Sequence, residues 1–503
     1  MTEHAPLPVI IDTDPGVDDV LALLLALASP DLLVLAITVT HGNTTLEWAE
    51  RNLDKVFYAL EKHIEQGGDE ERKRWRGVVD RDWRTKHGAS DKVKVLSGCA
   101  GPLEGKAVTA KYFHGKDGLA DCATRHPELT PPPDHTSSLI DLSSSSAHDG
   151  ILDLLSARPR SARKPSYVAL GPLTSLAKLS QVIEVEESFE VVLSMGGSFI
   201  WGNTTPTAEF NYYADPFAAR QLFSQSLSNL YLFPLDITSY LTLPFSLYAS
   251  RVDPTFHSTR QPSQLAGPGS PAQGVKRELV HFTSSFLEGT KEVMEKFGGD
   301  SMELHDPTVV FALIEYARAT RGRGHESERV ESGEQQGRLA NGWAWNRVDF
   351  EIECDGTLTR GMLIRDLRPS SQCSTSLTAR TGQTNRTLAI EADDDADVDS
   401  SDTPQDLQAR LNLDCDREQA TAQLGKGSMD VVEAIAESVE GGAMEQSTSK
   451  RRRVEAESEA GDNAEKASKV KVKTSGARVV VTSPGSEKMR KEILSRVWGV
   501  DLA

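Results

Sequence analysis

Pro8-Val9-Ile10-Ile11-Asp12-Thr13-Asp14-Pro15-Gly16-Val17-Asp18-Asp19 runs from an apolar segment into four carboxylates within eight residues. The apolar segment predicts a strand leaving a core, Pro15-Gly16 a turn, and the residues from Val17 onward a helix. The two-residue period of a strand puts Asp12 and Asp14 on one face at its carboxyl end. In open parallel sheets, ligands sit at those carboxyl ends. Four crowded acids repel one another unless some are protonated or a cation lies among them. Hard oxygen donors of this kind suit Ca²⁺ or Mg²⁺ better than zinc. Part of the pattern has an ordinary alternative. Asp18 and Asp19 fall in the first turn of the apolar helix expected over 20–28, where acids meet the helix dipole and cap free N–H groups. That alternative leaves Asp12 and Asp14 unexplained.

Outward from this stretch, the first half of the chain alternates short apolar strands with helical patterns. Strands are expected at 9–11, 33–39, 93–96, 167–170, 191–194 and 230–233. Helices are expected at 21–28, 46–60, 151–155, 173–179, 216–223 and 309–316. The fold class is α/β, with an open, mostly parallel sheet flanked by helices. Stretches at 66–92, 130–146, 258–274 and 321–337 are charged, or rich in Pro, Ser and Gly, and read as surface insertions in a domain spanning 8–367. Residues 369–475 are polar, acidic and almost without aromatics; they read as a disordered insert with a weak helical patch near 429–439. A strand at 477–482 and a helix at 486–497, with Met489, Ile493, Leu494 and Val497 on one side, follow it. Alone they bury too little to be stable, so residues 477–498 are expected to complete the first domain.

The 503 residues carry Lys+Arg 55 against Asp+Glu 74, a formal net charge of −19. This balance argues against a nucleic-acid or membrane-surface binder. Cys99, Cys122, Cys354, Cys373 and Cys415 are scattered without a CxxC pair, which fits a reduced intracellular protein without zinc. Residues 1–8 are too short and polar for a signal peptide, and no apolar run is long enough to span a bilayer. A soluble cytoplasmic protein is expected. Lys450-Arg451-Arg452-Arg453 reads either as a signal for a nuclear import receptor or as a solvated charge run balancing the acidic stretches.

Other polar groups also fall at strand ends. Met195-Gly196-Gly197 follows the fifth strand, and Asn203, Glu209 and Asn211 then offer mixed donors and acceptors that suit a vicinal diol such as a ribose. An ordinary polar loop would look similar. His41-Gly42-Asn43 follows the second strand, and Leu170-Gly171-Pro172 the fourth. His305-Asp306-Pro307 opens a helix, where Asp306 would also serve as an N-cap. Four strand ends and a helix start that all present polar groups point to one crevice.

Together these motifs resemble the nucleoside hydrolase family, the inosine–uridine-preferring nucleoside N-ribohydrolases. The resemblance rests on DTDPGVDD at 12–19, GNTTPTAEFN at 202–211 followed by Asp215-Pro216, and His305-Asp306-Pro307. Gly98–Leu103, His114–Leu119 and Glu353–Gly361 are also similar. It covers about 8–367 and 477–498 but not the acidic insert. It implies calcium-dependent hydrolysis of the N-glycosidic bond of ribonucleosides to free base and ribose.

By resemblance, Asp14, Asp19, Asp306 and the backbone carbonyl of Leu170 hold Ca²⁺, and Asp14 is also the general base towards water at the ion. Asp18, Asn43, Met195, Asn203, Glu209 and Asn211 surround the ribose, with Asp12 in support behind. His305 or His114 assists the departing base; for His305 a purely structural hydrogen bond is the alternative. Ser239-Tyr240 stands where many relatives carry histidine, and Gly289 and Val293 stand where purine-preferring relatives place aromatics. That departure favours pyrimidine nucleosides such as uridine. Relatives in that family are often dimers or tetramers, so the resemblance implies either a homo-oligomer or a chain whose insertions block or replace those contacts. Three rivals stay open, one being that the insert at 369–475 is the main interaction site and the enzyme fold its carrier. A Mg-dependent phosphohydrolase would need a Lys and Ser/Thr phosphate cradle, which is not found. A non-catalytic nucleoside-binding protein would be expected to have lost one of the site residues, which are intact.

Overall fold

The structure, a computed structural model, describes residues 4–256, 277–321, 335–367 and 476–502. Seven strands come first: β1 (Leu7–Thr13), β2 (Leu32–Val39), β3 (Val93–Ser97), β4 (Ile140–Ser146), β5 (Ser166–Ala169), β6 (Val192–Met195) and β7 (Leu230–Phe233). After them come β8 (Thr242–Pro244), β9 (Ser301–Glu303), β10 (Gln336–Ala340), β11 (Trp343–Val348), β12 (Glu351–Ile352), β13 (Leu363–Ile364) and β14 (Ala477–Thr482). Ten of these form one sheet in the order β10-β11-β14-β7-β6-β5-β1-β2-β3-β4. From β4 across to β14 every pairing is parallel, while β11 and β10 close one edge antiparallel.

β1 and β2 are buried along their whole length, as strands covered by helices on both faces must be, which is why they read as mostly apolar runs, with polar residues only at Asp12, Thr13 and Thr38 towards their carboxyl ends. The chain runs outward from β1 through β2 and β3 to β4, then returns to place β5 on the other side of β1. That reversal opens a crevice at the carboxyl ends of β1 and β5, where Asp14 and Leu170 lie. The helix Val17–Ala28 is buried on every side and packs along the helix His305–Ala319, which carries Asp306 back to β1.

Several expectations change. Residues 66–92 are largely helical: the helical stretch from Leu46 to Arg74 breaks at Gly68, which takes a left-handed φ of +61°, and Arg76–Val79 and Arg81–Lys86 follow. Trp75, Val78 and Trp83 are buried there, so this charged stretch has an apolar face that its composition hid. The Ser-rich end of 130–146 is the edge strand β4; an edge buries little and tolerates polar residues. β10 and β11 extend the far edge, with Trp343 and Trp345 buried, and begin inside the insert expected at 321–337. β14 lies between β7 and β11. Arg478 fixes it there, its guanidinium over the rings of Tyr231 and Trp345 at 5.3 and 4.7 Å and its Nη1 donating to the Tyr231 hydroxyl at 3.0 Å. Met489, Ile493, Leu494 and Val497 are buried, on a helix that ends in a π-turn over Leu494–Trp498. The segments at 258–274 and 369–475, including Lys450–Arg453 and the patch at 429–439, lie outside the described residues. Among the described residues, no helix is long and apolar enough to cross a membrane.

Candidate active site

Asp19 organises the acid cluster because four donors converge on it. The Thr13 hydroxyl and the Asp14 N–H donate to its Oδ1 at 2.6 and 3.2 Å. The Gly16 N–H and the Asn43 side-chain amide donate to its Oδ2 at 3.0 and 2.8 Å. The bond from Gly16 caps the helix Val17–Ala28, so the ordinary capping role holds for Asp19 as well.

Asp14 is held by one oxygen and open at the other. Its Oδ2 accepts the Asn43 N–H at 2.6 Å, while its Oδ1 is buried without a hydrogen-bond partner. Gly42 and Gly171 clasp this carboxylate: a Cβ on Gly42 would lie 1.9 Å from Oδ2, and one on Gly171 2.6 Å from Oδ1. Sequence reading noted both glycines only as parts of strand-end motifs and missed this contact, which no spacing rule announces. Asp12 sits one step deeper, its Oδ1 taking a 2.6 Å bond from the Thr38 hydroxyl while its Oδ2 has no partner.

Asp18, Asp19 and Asp306 bring carboxylate oxygens within 4.8 Å of one another, all buried. Asp306 arrives from the first turn of its helix, almost three hundred residues after Asp14. Burial, then the charge of Asp19, pushes the carboxyl of Asp18 up to about 7. Burial and the Asp19 charge hold Asp14 well above the ordinary carboxylate range, and burial with the charges of Asp18, Asp19 and Asp14 does the same for Asp306. Burial also takes Asp12 to about 7. These are acids in want of positive charge. The oxygen cluster of Asp18, Asp19 and Asp306, with the unpartnered Oδ1 of Asp14 on a carboxyl that feels the charges of Asp19 and Asp18, therefore fits a hard divalent cation.

The second half of the crevice is built from β5, β6 and the loop after β6. Gly197 takes φ +70°, a left-handed conformation costly for a side chain, and so turns its N–H onto Glu209 Oε2 at 2.7 Å. Glu209 also accepts the N–H groups of Asn211 at 2.7 Å and Tyr212 at 3.2 Å, capping the short helix Phe210–Ala214. The Asn211 side chain donates to the Leu170 carbonyl at 2.6 Å and lies 3.3 Å from the Met195 carbonyl, tying the ends of β5 and β6 together. Asn43, Met195, Glu209 and Asn211 are buried. Asn203 is exposed, its Oδ1 accepting the Phe210 N–H at 3.0 Å, so it stands apart from the buried group.

The two histidines differ in state. His114 Nδ1 accepts the Val17 N–H at 3.2 Å, and burial drops its pKa to about 4, leaving a neutral ring packed on the helix start. His305 lies between the Thr238 hydroxyl, 2.9 Å from Nδ1, and Glu303 Oε2, 3.0 Å from Nε2. Burial lowers its pKa, but the bond to Glu303 and the charges of Glu303, Asp18 and Glu209 outweigh burial and carry it upward. Thr238 and Glu303 had no signal in the sequence. Gly289 does not face open space, since a Cβ there would meet Ala120 Cβ at 2.6 Å and Arg125 Nη2 at 2.9 Å. Its lack of a side chain serves helix packing and says nothing about the base.

The chain is similar to several known proteins. The pyrimidine-specific ribonucleoside hydrolase RihA of Salmonella enteritidis is 29% identical over 309 residues, covering 61% of this chain and 79% of that protein. The protein of the same name from Salmonella arizonae is 29% identical over 310 residues, with the same 61% and 79% coverage. Among solved structures, the plant nucleoside hydrolase PpNRh1 gives a TM-score of 0.49 at 21% identity, over 73% of this chain and 92% of that one. The purine-preferring ribonucleoside hydrolase from Gardnerella vaginalis gives 0.48 at 19% identity, over 73% and 90%. The family described as inosine-uridine preferring nucleoside hydrolase matches residues 9–399, well over half of the 503 residues. The chain belongs to that family and is a ribonucleoside hydrolase.

Proposed function

We propose that this hydrolase works with Ca²⁺ and prefers pyrimidine nucleosides, uridine among them. The ion's donors are Asp14, Asp19, Asp306 and the carbonyl of Leu170, with Asp18 close enough to share the charge. The observation that carries this reading is the cluster of buried carboxylate oxygens of Asp18, Asp19 and Asp306, whose charges also reach the buried carboxyl of Asp14 with its unpartnered Oδ1. Such an ion, when bound, supplies the positive charge that keeps these groups ionised and acidifies water at the site.

The chain's own groups account for the rest. Asn43, through its N–H on Oδ2, holds Asp14 so that Oδ1 is free to accept a proton. Water adds to C1′ of the ribose, its proton passes to Asp14, and the C1′–N bond breaks with its electrons going to the base. The ribosyl cation that develops is stabilised by buried negative charge at Asp18 and Glu209. Asp18, Asn43, Glu209 and Asn211 hold the ribose hydroxyls beside Met195, with Asn203 at the exposed rim and Asp12 supporting β1 from below. His305, pushed towards its charged form, gives the leaving base its proton. His114 stays neutral with Nδ1 engaged and positions the Val17 turn instead. The pyrimidine preference draws its support from the name of the Salmonella relatives.

Reducing-sugar release from uridine, cytidine, inosine and guanosine, with Ca²⁺ and with a chelator, tests the proposal. Ribose should appear fastest from the pyrimidine nucleosides and stop in chelator until Ca²⁺ is returned. Turnover indifferent to chelation would remove the calcium reading, and faster release from inosine would remove the base preference.

A further inference from the structure

A second constellation lies away from the acid cluster. His126 precedes the 3₁₀ turn Pro127–Leu129, Glu128 lies within it, and His281 comes from the helix Glu278–Lys296. His126 Nδ1 lies 3.2 Å from Glu128 Oε1, and His281 Nε2 lies 3.0 Å from the same oxygen. The two rings meet edge to face, with centroids 5.4 Å apart at 83°. One donor atom from each of the three residues falls within 4.8 Å of the others. The His126 and His281 side chains are 1% and 0% exposed, and that of Glu128 is 44% exposed.

The far side of His126 carries the decisive observation. Its Nε2 faces Glu288 Oε2 at 3.7 Å, both groups are buried, and neither atom has a hydrogen-bond partner. A neutral imidazole has one N–H and one lone pair. With a carboxylate oxygen opposite each nitrogen, a neutral His126 must aim its lone pair at one of two anions. A cation on Nδ1 removes the conflict, because the lone pair then binds the ion and the Nε2–H turns to Glu288. Metal-ligating histidines commonly lean on a carboxylate in this way.

We propose that His126, Glu128 and His281 bind Zn²⁺, that Glu288 orients the His126 ring, and that the ion staples the turn at 126–129 to the helix Glu278–Lys296. Two imidazoles and one carboxylate are donors for zinc, unlike the all-oxygen acid cluster. Zinc bonds of about 2.0–2.1 Å in a tetrahedron put neighbouring donors about 3.3 Å apart, close to the 3.2 and 3.0 Å that separate Glu128 Oε1 from His126 Nδ1 and His281 Nε2. Three protein donors leave a fourth position to solvent, and the exposed Glu128 provides the way in. The cysteine spacing that argued against zinc does not bear on a site built from histidines.

The test is calorimetric titration of the full chain with Zn²⁺ while Ca²⁺ in excess fills the acid cluster. One equivalent should bind and raise the melting temperature. Glu128→Gln, at an exposed position the fold tolerates, should weaken binding at least about tenfold, and Asp306→Asn should leave it unchanged. Co²⁺ in place of zinc should give the visible band of a tetrahedral, nitrogen-ligated ion in the parent and lose it in Glu128→Gln and His281→Asn. Absence of saturable zinc uptake over Ca²⁺, uptake unaltered in Glu128→Gln, or uptake lost in Asp306→Asn would each overturn the assignment.

Discussion

Gly42→Ala asks whether Asp14 is held in its working position by the glycines that clasp it. The added Cβ would sit 1.9 Å from Asp14 Oδ2 and 2.9 Å from Pro172 Cδ. Real Cβ atoms keep at least 3.0 Å from other heavy atoms, so the carboxylate must retreat by about 1 Å. Retreat breaks the 2.6 Å bond from the Asn43 N–H and turns Oδ1, the atom proposed to take the proton from water, off its line. A displacement of about 1 Å at a reacting group costs on the order of 10²-fold in rate. That corresponds to about 2.7 kcal/mol of barrier. The overpacking itself costs roughly 1–3 kcal/mol of stability, within the margin of a domain stable by about 5–15 kcal/mol. The variant should therefore fold, melt a few degrees lower, and release ribose about a hundred times more slowly at saturating nucleoside. Gly77→Ala is the control: its Cβ would meet nothing nearer than 3.6 Å in the helix Arg76–Val79, so rate and melting should hold. A folded Gly42→Ala enzyme with turnover within about threefold of the parent would refute the argument that this clasp sets the base.

Three further outcomes follow from the same charges. In chelator, Asp18→Asn should melt higher than the parent. The rise of the carboxyl from 3.8 to about 7 is roughly 4 kcal/mol when ionised, of which an amide recovers part. An acid whose pKa is raised by folding withdraws stability as pH climbs from its unfolded to its folded value, so calorimetry should find the gain near pH 8 and not near pH 4. Equal melting near pH 8 would count against charge crowding. His305→Gln should lower kcat by about 10²-fold or more for nucleosides with poor leaving bases, and His114→Gln should act mainly on stability; equal kcat losses would remove the distinction drawn between them. Arg318 donates to Glu492, Glu315 and Asp31, joining the His305–Ala319 helix to the C-terminal helix. Burial raises Glu492, but Arg318 and Arg496 outweigh it and hold the carboxyl below its ordinary 4.5. That contribution is present above 4.5 and disappears as pH falls through the lowered value. Acid-melting profiles should thus lose their steepness below pH of about 4.5 in Arg318→Gln.

How much of this was legible depended on whether burial and polarity agreed. β1, β2 and the helix Val17–Ala28 are buried on all sides, and their apolar runs say so directly. β4 is an edge strand, and 66–92 hides three buried apolar residues among charges, so composition misread both. The acids of the site were legible because four carboxylates at one strand end have few ordinary uses. Gly42 and Gly171 as a clasp, Thr238 and Glu303 around His305, and the pairing of His126 with His281 depend on distances between strands and helices far apart in sequence. No periodicity carries that information.

The site's chemistry follows from where its charge is forced to lie. A helix with twelve buried residues begins at Val17, so its first-turn acids cannot turn to water. The helix His305–Ala319 packs along it and delivers Asp306 to the same closed volume, whatever the charge costs. Packing of apolar surface, worth about 25 cal/mol per Å² buried, thus holds together carboxylates that would otherwise move apart. The same packing sets one histidine against Val17 and the other beside Glu303, so burial lowers the pKa of His114 while Glu303 carries that of His305 upward, and the acid role proposed for His305 rests on that difference of environment. Loosening the two helices should therefore weaken cation binding before it unfolds the sheet. Leu24→Ala, which leaves a cavity in the buried helix without touching a donor, should raise the Ca²⁺ concentration needed for half-maximal turnover. If that concentration is unchanged while the variant melts roughly 2–5 kcal/mol less stably, the first turns of the two helices hold their acids without help from the packing deeper along them.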